Sequence, residues 1–529
     1  MDDILQIYLK GLHEEAVNYK FHCMMGVFSC ESMSLQIYNS LTRQKEDFIP
    51  VEPGKVKMYV CGMTVYSDAH IGHARTYFAF NVIKNYLEYK GFDVIYVQNV
   101  TDVDDKIINT ANQKNIDALE YSCQCTELCL NSLDDLGIKR ATIYPKASEE
   151  IPEMIAMIEQ LIDKGFAYEI DGDVYFSVEK FPSYGKISGQ NIEELKSGAR
   201  IEPGEKKQSP LDFALWKSTK PGEPFWESPW GHGRPGWHIE CSAMSSKYLG
   251  LPFDIHGGGM DLRFPHHENE IAQAEAATGK HFPHYWMHIG LLTIEGEKMS
   301  KSIGNIINIC DLLKEWDPEV IRFFFAQTHY RHPPDFNETA LQNAKKGIIR
   351  IHRLKDRLEE MADPKACVTE HSDSSIDDQA FNEIINNFKE SFEKAMDDDF
   401  NTPEAIAVLF DFVNKTNKHL ENHPNPSPNT VQYALNTFIE LGKILTLFQD
   451  EKQTDDASVI TSLKEVLQKY TSNTEQYETV DDLMGALLVL REQARKDKNW
   501  SVADGIRDDI SCLGFEIQDT SDGAVWRKI

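Results

Sequence analysis

The stretch from Tyr59 to Arg75 reads Y-V-C-G-M-T-V-Y-S-D-A-H-I-G-H-A-R, and its pattern decides the fold. Ahead of it, apolar residues alternate with polar ones at the period of a strand (Val56, Met58 and Val60). After it, apolar residues recur at helical spacing (Phe78, Val82, Ile83, Tyr86 and Leu87). We therefore predict a strand, a turn at Cys61-Gly62 and a helix that begins near Ile71. In an open α/β sheet, ligands bind beyond the carboxyl ends of the strands.

His70 and His73 lie three residues apart, on one side of the first turn of this predicted helix. A helix N-terminus offers free N–H groups to phosphate. Two imidazoles there can also donate hydrogen bonds to a triphosphate while its bond to the leaving pyrophosphate breaks. Gly72, between the two histidines, allows a nucleotide to approach the backbone closely. The turn thus indicates a nucleotide-binding site; the alternative is a histidine-rich helix start with ordinary caps.

The composition bounds the class of protein. With 529 residues the chain is too long for one core, so we expect three or four structural units. Hydrophobic residues make up 41% and charged residues 26%, as in globular enzymes, and no apolar run is long enough to cross a membrane. The N-terminus lacks the basic start and apolar run of a signal peptide, so we expect a cytoplasmic protein whose ten cysteines are reduced thiols or metal ligands.

Taken over the whole protein, the net charge of −30 argues against a nucleic-acid partner, because phosphate binding needs lysine and arginine. Such a partner must meet local basic patches. Two helical stretches supply them: Lys345, Lys346, Arg350, Arg353, Lys355 and Arg357 in the first, and Arg491, Arg495, Lys496, Lys498 and Arg507 in the second. Taken alone, a solvated helix face is the simpler interpretation of either patch.

A second dense stretch runs from Trp237 to Glu270. A predicted helix over 237–244 contains Cys241, and a predicted short strand leads into three glycines and an aspartate (Gly257, Gly258, Gly259 and Asp261). Glycines after a strand let a flat base lie against bare backbone, and an aspartate can accept from a ribose hydroxyl; the alternative is a flexible turn. His266 and Glu270, four residues apart, share one helical face and can share a metal ion.

Three other patterns have ordinary explanations. Residues 231–236 match a dinucleotide fingerprint, but no apolar strand precedes them, so we reject a nicotinamide or flavin site. Cysteines within 123–129 resemble a metal cluster, but they lie on a helical run with no matching pair after it, so we predict no zinc there. Acidic residues over 102–105 can hold Mg²⁺ or position a substrate, although capping of the next helix is their commoner use.

Lys298 to Ser302 reads K-M-S-K-S and follows another predicted strand. Beside a nucleotide site, Lys298 and Lys301 would supply mobile cations to the β- and γ-phosphates; alone, the pentapeptide is an exposed loop. Beyond Pro318 the pattern is helical as far as about 448, with predicted helices that include 381–396, 402–420 and 431–448.

The segments His70-Ile-Gly-His73 and Lys298-Met-Ser-Lys-Ser302, in that order around an α/β core, resemble the two signature motifs of class I aminoacyl-tRNA synthetases. The strings Y-V-C-G-M-T-V-Y, R-P-G-W-H-I-E-C-S-A-M and F-P-H-H-E-N-E are similar to those of the cysteinyl-tRNA synthetase family in particular. The similarity runs from about Met33 to the C-terminus. It implies an α/β, Rossmann-like class I catalytic core that is split by an insertion and followed by a helical bundle and a small C-terminal α+β unit.

The resemblance and the shifts in composition give a domain plan. We expect an unmatched N-terminal extension, the first half of the catalytic fold, a connective insertion, the second half with the lysine-rich loop, a helical bundle that binds the tRNA stem, a linker and an anticodon-binding unit. Their bounds are 1–32, 33–145, 146–235, 236–317, 318–450, 451–480 and 481–529, in that order.

The resemblance also implies one zinc ion per chain, bound by Cys61, Cys241, His266 and Glu270. Thiolate, imidazole and carboxylate groups are suitable zinc ligands, and a purely structural zinc is the alternative. Metal–sulfur bonding would select cysteine over serine, so we expect no editing domain. Cys61, Thr64 and Trp237 are implied contacts of the substrate, with core packing as the alternative for Trp237.

The implied reaction joins L-cysteine and ATP, with Mg²⁺, into cysteinyl-adenylate and pyrophosphate, and then transfers cysteine to the terminal adenosine of tRNA(Cys). Four side chains would stabilise charge during adenylation: His70, His73, Lys298 and Lys301. ATP would contact Gly72, Gly257, Gly258, Gly259, Asp261 and Lys301. Two other functions stay open: a ligase that gives cysteine to an amino sugar, and a non-catalytic homologue. Family members are mostly monomers, so we expect a monomer.

The last unit combines groups that suit unpaired anticodon bases: Asp504, Arg507, Asp519 and Trp526. Carboxylates accept from base amino groups, arginine donates to base edges and tryptophan stacks on a base. The alternative is that Trp526 fills a small core while the acidic residues cap helices.

Overall fold

The computed structural model describes residues 34–190, 206–299, 303–362, 375–449, 454–471, 477, 480–513, 515–520 and 523–528. The N-terminal extension and the segment Ser300 to Ser302, which contains Lys301, lie outside the described residues. The chain divides into two compact units, Met1–Phe448 and Gln449–Ile529. Among the residues that the structure describes, no helix has the length and apolar character needed to cross a membrane.

Strands and helices alternate in the first half of the chain, and helices dominate the second half. The strands are β1 Gln36–Asn39, β2 Gln44–Asp47, β3 Lys55–Thr64, β4 Asp93–Thr101, β5 Ala167–Ile170, β6 Asp173–Phe176, β7 Phe213–Ser218, β8 Gly233–Pro235, β9 Phe253–Gly259, β10 Pro283–Ile289, β11 Thr293–Ile294, β12 Glu297–Lys298, β13 Asp335–Phe336, β14 Phe515–Thr520 and β15 Gly523–Lys528. The α-helices are α1 Ile71–Tyr89, α2 Asp105–Lys114, α3 Ala118–Asp135, α4 Ile151–Asp163, α5 Trp237–Leu249, α6 His266–Thr278, α7 Ile309–Leu312, α8 Pro318–Ala326, α9 Glu338–Ala362, α10 Ser375–Asp397, α11 Thr402–Asn422, α12 Pro428–Ile444, α13 Thr454–Tyr470, α14 Val480–Lys496 and α15 Trp500–Cys512.

A parallel sheet in the order β10–β9–β3–β4 lies at the centre of the first unit. Its register places Tyr59 of β3 between His256 of β9 and Val97 of β4. Because parallel strands end at the same edge of a sheet, the carboxyl ends of β3 and β9 lie side by side. That edge is where an α/β fold binds its ligands, and it carries Cys61 and the three glycines at 257–259.

The strand β3 continues through the predicted turn, so the prediction of a turn at Cys61-Gly62 is wrong. Its pairing with β4 shifts register between Val60 and Met63, as at a bulge. A Cβ atom at Gly62 would lie 1.5 Å from the backbone oxygen of Asn99, and the Gly62 N–H donates to the Asn99 side chain at 2.7 Å. Glycine is needed at position 62 because two backbones meet there. The predicted helix start at Ile71 is confirmed.

The three glycines of the second dense stretch also lie within a strand. We expected a loop after His256, but β9 extends to Gly259 and all three glycines are buried. A Cβ atom at Gly257 would lie 2.1 Å from Cζ of Phe80 in α1. The absent side chain at position 257 therefore lets the helix pack directly on the strand.

The insertion forms its own antiparallel sheet, in the order β5–β6–β7–β8. Its first hairpin turns at Asp171 and Gly172, whose φ angles are 48° and 84°, the left-handed conformation of a type I′ turn. The predicted hairpin near Gly172 is confirmed. Trp216 of β7 shares one apolar core with Met244 of α5, so the insertion packs against the second half of the catalytic fold.

The helices α8 to α12 share a core with the parallel sheet. Phe323, Phe388 and Phe438 belong to the same apolar cluster as Phe78 of α1. The predicted helices over 381–396, 402–420 and 431–448 are confirmed as α10, α11 and α12, but α12 ends at Ile444. It ends early because Thr446, with φ of 64°, turns the chain into the left-handed region.

The second unit packs α13, α14 and α15 against the hairpin β14–β15. Its apolar core consists of Leu463, Val466, Leu467, Leu483, Met484, Leu487, Ile506, Ile510, Phe515 and Ile517. The range 451–480, which we expected to be a linker, contains α13, and its leucines are fully buried in this core. Most of that range is therefore an integral part of the unit.

A buried guanidinium joins α1 to the end of α8. Arg75 is 2% exposed, and its side chain donates to three backbone oxygens, those of Phe325, Thr328 and His329, at 2.7, 2.9 and 3.0 Å. Each of these carbonyls would lack this donor if the guanidinium were removed.

We expect Arg75→Met to lower the free energy of unfolding of the first unit by about 3 kcal/mol, because buried acceptors lose a charged donor. Differential scanning calorimetry measures the change. Arg140→Met is the control, since Arg140 is 44% exposed and pairs with Asp134 at the surface, where such pairs contribute about 0–1 kcal/mol. Equal melting temperatures for the two variants would contradict the role given to Arg75.

Candidate active site and metal centre

Four side chains from three separate elements converge beyond the edge of the parallel sheet: Cys61 of β3, Cys241 of α5, and His266 and Glu270 of α6. All four are buried, and one ligand atom from each lies within 4.8 Å of the others. The two thiol sulfurs are 3.8 Å apart, Sγ of Cys241 lies 3.5 Å from Nε2 of His266, and that nitrogen lies 3.0 Å from Oε1 of Glu270. The arrangement suits a metal ion with sulfur, nitrogen and oxygen ligands.

The protonation of the cluster follows from its burial and its internal contacts. Burial raises the pKa of Cys61 well above its ordinary value. Burial also opposes ionisation of Cys241, but the hydrogen bond from Cys61 lowers the pKa of Cys241 to about 6. Burial disfavours a charged ring at His266, yet the carboxylate of Glu270 raises the pKa of His266 to about 10. A thiolate, an imidazolium and a carboxylate thus leave one net negative charge in the buried cluster, and a divalent cation would replace the protons and balance that charge.

Three histidines that we did not predict as site residues surround these four residues. Nε2 of His256 lies 2.6 Å from Oε2 of Glu270, and Nε2 of His267 lies 3.3 Å from Sγ of Cys61. Nδ1 of His267 in turn lies 2.8 Å from Nε2 of His288. Burial lowers the pKa of His267 well below its ordinary value, so its ring is neutral. Rings in these positions orient the ligand atoms of their neighbours.

A second set of residues, Cys61, His256, His267 and Glu270, also brings its ligand atoms within 4.8 Å of one another. It shares Cys61 and Glu270 with the first set. The 2.6 Å contact of His256 with Glu270 is a hydrogen bond in length, so we assign the two added histidines to orientation of the shared ligands. The signal in the sequence was the pair of histidines at 266–267 and a histidine on each of two adjacent strands.

Trp237, the first residue of α5, covers one side of the cluster. Its ring stacks on His266 with centroids 4.2 Å apart and an angle of 24° between the planes, and Trp237 is 39% exposed to solvent. Thr64 ends β3, three residues beyond Cys61. Trp237 therefore lies beside the cluster, and the contacts of both residues with a substrate stay predictions.

The turn at His70 lies beside the segment that follows the lysine-rich loop. The rings of His70 and His73 stack with centroids 3.7 Å apart. The N–H of Ile71 donates to the oxygen of Ile307 at 2.9 Å, so the two signature segments share one side of the fold. A Cβ atom at Gly72 would lie 2.7 Å from Cε of Met299. In this structure, the group that approaches Gly72 closely is therefore the Met299 side chain of the lysine-rich loop.

Lys298 ends β12 and is exposed, whereas Lys301 lies outside the described residues. Asp261 is exposed in the turn after β9, where its carboxylate lies near the backbone of Gly259. The acidic residues after β4 have protein partners: Asp102 accepts from the Ser148 N–H at 2.9 Å, and Asp104 caps α2. The capping interpretation thus accounts for Asp104.

Two family models match the chain: "tRNA synthetases class I (C) catalytic domain" over residues 47–346 and "DALR domain" over 391–449. The chain is 46% identical to the cysteine–tRNA ligase of Thermococcus gammatolerans over 497 residues, which cover 94% of this chain and 100% of that protein. Cysteine–tRNA ligases of Anoxybacillus flavithermus and Bacillus cereus are also 46% identical, over 501 and 497 residues, with the same coverage. The chain belongs to the cysteine–tRNA ligase family.

Solved structures with the same fold agree with this membership. Methionyl-tRNA synthetase of Mycobacterium tuberculosis, in complex with methionyl-adenylate, has a TM-score of 0.55 at 14% identity and covers 74% of this chain and 89% of its own. A LeuRS–tRNA–LeuAMS complex from Agrobacterium radiobacter has a TM-score of 0.55 at 12% identity, with 75% and 84% covered. The predicted class I synthetase fold and the predicted family are both confirmed.

In the second unit of this family member, the predicted base-reading residues divide into two groups. Asp504 and Arg507 are exposed on α15, but Trp526 packs edge-on against Phe515, with centroids 5.4 Å apart, at the border of the core. This position agrees with the alternative interpretation, in which Trp526 fills a small core and does not stack on a base. The side chain of Asp519 lies outside the described residues.

Trp500 is the exposed tryptophan of this surface, and we did not predict it from the sequence. It is 57% exposed and begins α15, four residues before Asp504 and seven before Arg507. Residues at this spacing lie along one face of a helix. The spacing was readable from the sequence, but the choice between two tryptophans depended on which one enters the core.

We expect the purified protein to contain one transition-metal ion per chain and Cys241→Ser to contain almost none, because a serine hydroxyl does not ionise to replace a thiolate ligand. Inductively coupled plasma mass spectrometry measures the ratio. Cys123→Ser is the matched control, since Cys123 is exposed and stands outside the cluster. Metal retained at full stoichiometry by Cys241→Ser would show that the four residues do not form the site.

Proposed function

We propose that the chain activates L-cysteine with ATP, which gives cysteinyl-adenylate and pyrophosphate, and then transfers cysteine to the 3′-terminal adenosine of tRNA(Cys). The observation that carries the proposal is the buried cluster of Cys61, Cys241, His266 and Glu270 at the edge of a class I synthetase core. Relatives that span almost the whole chain are named cysteine–tRNA ligases, which supports the same substrate and acceptor.

Zinc is the metal that we propose for the cluster. Two thiolates, one imidazole and one carboxylate form a zinc site at bond lengths of about 2.0–2.3 Å. When bound, zinc would supply a soft Lewis acid that prefers a thiolate to a hydroxyl group, and so would distinguish cysteine from serine. Trp237 covers His266 from a partly exposed position, which supports an amino-acid pocket directly above the cluster.

The chain's own residues would position the reactants and stabilise charge. The substrate carboxylate must be placed in line with the α-phosphate of MgATP, and no nucleophilic side chain is required. Negative charge that develops on the phosphates would meet four groups: His70, His73, Lys298 and Lys301. Gly257 to Gly259 and Asp261 would contact the adenosine. As in its class, the 2′-hydroxyl of the tRNA would be the first acceptor.

The alternative acceptor, an amino sugar, is less well supported. Such a ligase has no need of a helical bundle and a separate terminal unit, and this chain has both, with a DALR domain match over 391–449. A non-catalytic homologue would be expected to lack motif residues, whereas the signature residues are present. Residence in the cytoplasm and a monomeric state stay predictions.

Cysteine-dependent exchange of pyrophosphate into ATP, followed by charging of tRNA(Cys), tests the proposal. We expect both activities with cysteine and neither with serine. Lys298→Ala should slow adenylate formation about 10²-fold, the usual cost of one group that stabilises transition-state charge. Lys314→Ala is the control, because Lys314 is 72% exposed and pairs with Asp311 of α7, three residues earlier in the chain. Exchange without charging, but with transfer to glucosamine, would favour the amino-sugar alternative.

The exposed face of α15 is the surface that we propose for anticodon bases. Trp500 offers a largely exposed ring for stacking, and Asp504 and Arg507 offer an acceptor and a donor on the same helix. We expect Trp500→Ala to lower kcat/KM for tRNA about tenfold or more, since stacking of one base contributes about 1–3 kcal/mol. Pyrophosphate exchange should stay unchanged.

Val489→Ala is the matched control for that variant, because Val489 is 68% exposed on the neighbouring helix α14. Trp526→Ala should instead lower the melting temperature of the second unit, because Trp526 packs on Phe515. A normal tRNA response in Trp500→Ala would remove this residue from the proposed surface.

A further inference from the structure

An ion pair crosses from the first half of the catalytic fold to the insertion. The carboxylate of Asp105, the first residue of α2, accepts from Nη2 of Arg234 on one oxygen and from Nζ of Lys217, at 3.0 Å, on the other. The side chain of Arg234 is 4% exposed, and its Nε also lies 3.3 Å from Glu223. A buried guanidinium is costly unless it is paired, so Arg234 is held firmly by these carboxylates.

The two cations lie opposite each other in the sheet of the insertion. Lys217 of β7 pairs with Arg234 of β8 in the antiparallel register. Asp105 comes four residues after Thr101, the end of β4, and therefore belongs to the parallel sheet's side of the fold. One carboxylate thus fixes the end of the insertion's last strand relative to the catalytic core.

The chain between Arg234 and the metal cluster has little room to move. Pro235 restricts the backbone, and the N–H of Gly236 donates to the oxygen of Leu215 at 2.8 Å. A Cβ atom at Gly236 would lie 2.0 Å from the oxygen of Ala214, so the two backbones are in close contact. α5 begins at the next residue, Trp237. The position of Arg234 is therefore transmitted over three residues to the indole ring.

That indole is stacked on His266, one of the four proposed metal ligands, with centroids 4.2 Å apart. We propose that the Asp105–Arg234 ion pair is a positioning element of the amino-acid pocket, which sets the height of the Trp237 ring above the cluster and so the fit of the cysteine side chain. The proposal rests on the proposed function, because it assigns a role in that same pocket. Neither Asp105 nor Arg234 needs to touch the substrate.

Amino-acid binding should respond to this ion pair separately from ATP binding. In pyrophosphate exchange, Asp105→Asn should raise KM for cysteine about tenfold, while KM for ATP and the metal content stay within twofold of the wild-type values. Asp105→Glu, which keeps the charge, should restore most of the loss. Asp134→Asn is the matched control, because it breaks the Arg140 ion pair in the same half of the fold and should leave both KM values unchanged.

A double-mutant cycle makes the test specific to the indole. In a Trp237→Ala background, Asp105→Asn should cause no further rise in KM for cysteine, because the ring that it positions is gone. Independent effects that multiply in the double variant would overturn the proposal, as would equal rises in KM for cysteine and ATP, or a lower melting temperature with an unchanged KM for cysteine.

If Asp105→Asn fails to fold, Arg234→Lys replaces it as the first substitution of the double-mutant cycle. It keeps the positive charge but loses the forked geometry of the guanidinium. It should raise KM for cysteine in the wild-type background and not in Trp237→Ala, and an equal rise in both backgrounds would overturn the proposal. Absence of any cysteine-dependent exchange in the wild-type protein would instead refute the proposed function, so the two failures are distinguishable.

Discussion

The buried carboxylate of Glu270 is the constraint on which the site depends. A carboxylate withdrawn from water is costly unless both of its oxygens have partners. His256 lies 2.6 Å from one oxygen and His266 lies 3.0 Å from the other. Since His256 belongs to β9 and His266 to the first turn of α6, this carboxylate ties the helix to the edge of the sheet. Contacts within the protein therefore set the spacing of the proposed metal ligands.

Close approach of backbones gives the second condition for the site. Gly62 lies against the backbone of Asn99, and Gly257 lies against the ring of Phe80. A side chain at the first position would separate β3 from β4, and one at the second would lift α1 from β9. The end of β3 then could not bring Cys61 within 3.8 Å of Cys241. These glycines act first through packing, and any contact with a nucleotide depends on that packing.

Local periodicity predicts α1, β9 and the helices of the bundle because each buries its own apolar face. It cannot predict the bulge at Gly62, which depends on Asn99, 37 residues further along the chain. The four proposed ligands came from the family resemblance, and the orienting roles of His256 and His267 appear only when the elements are packed together. Likewise, only the packed unit shows that Trp526 borders a core. Sequence patterns thus predict elements well, but they do not show which elements meet.

An acidic protein that binds RNA must concentrate its cations, and the basic helix α9 shows how few remain for that purpose. Arg350 and Arg357 donate to Asn414 and Asn417 of α11 at 3.0 and 2.9 Å, so these two cations already hold the bundle together. Arg350 is nevertheless exposed, as are Lys345, Lys346 and Arg353 of the same helix. Because the salt dependence of RNA binding scales with the number of phosphates neutralised, α9 can contribute to it only through these four exposed cations. The net charge of −30 repels the phosphate backbone as a whole, so local cations and base contacts at exposed groups have to offset that repulsion.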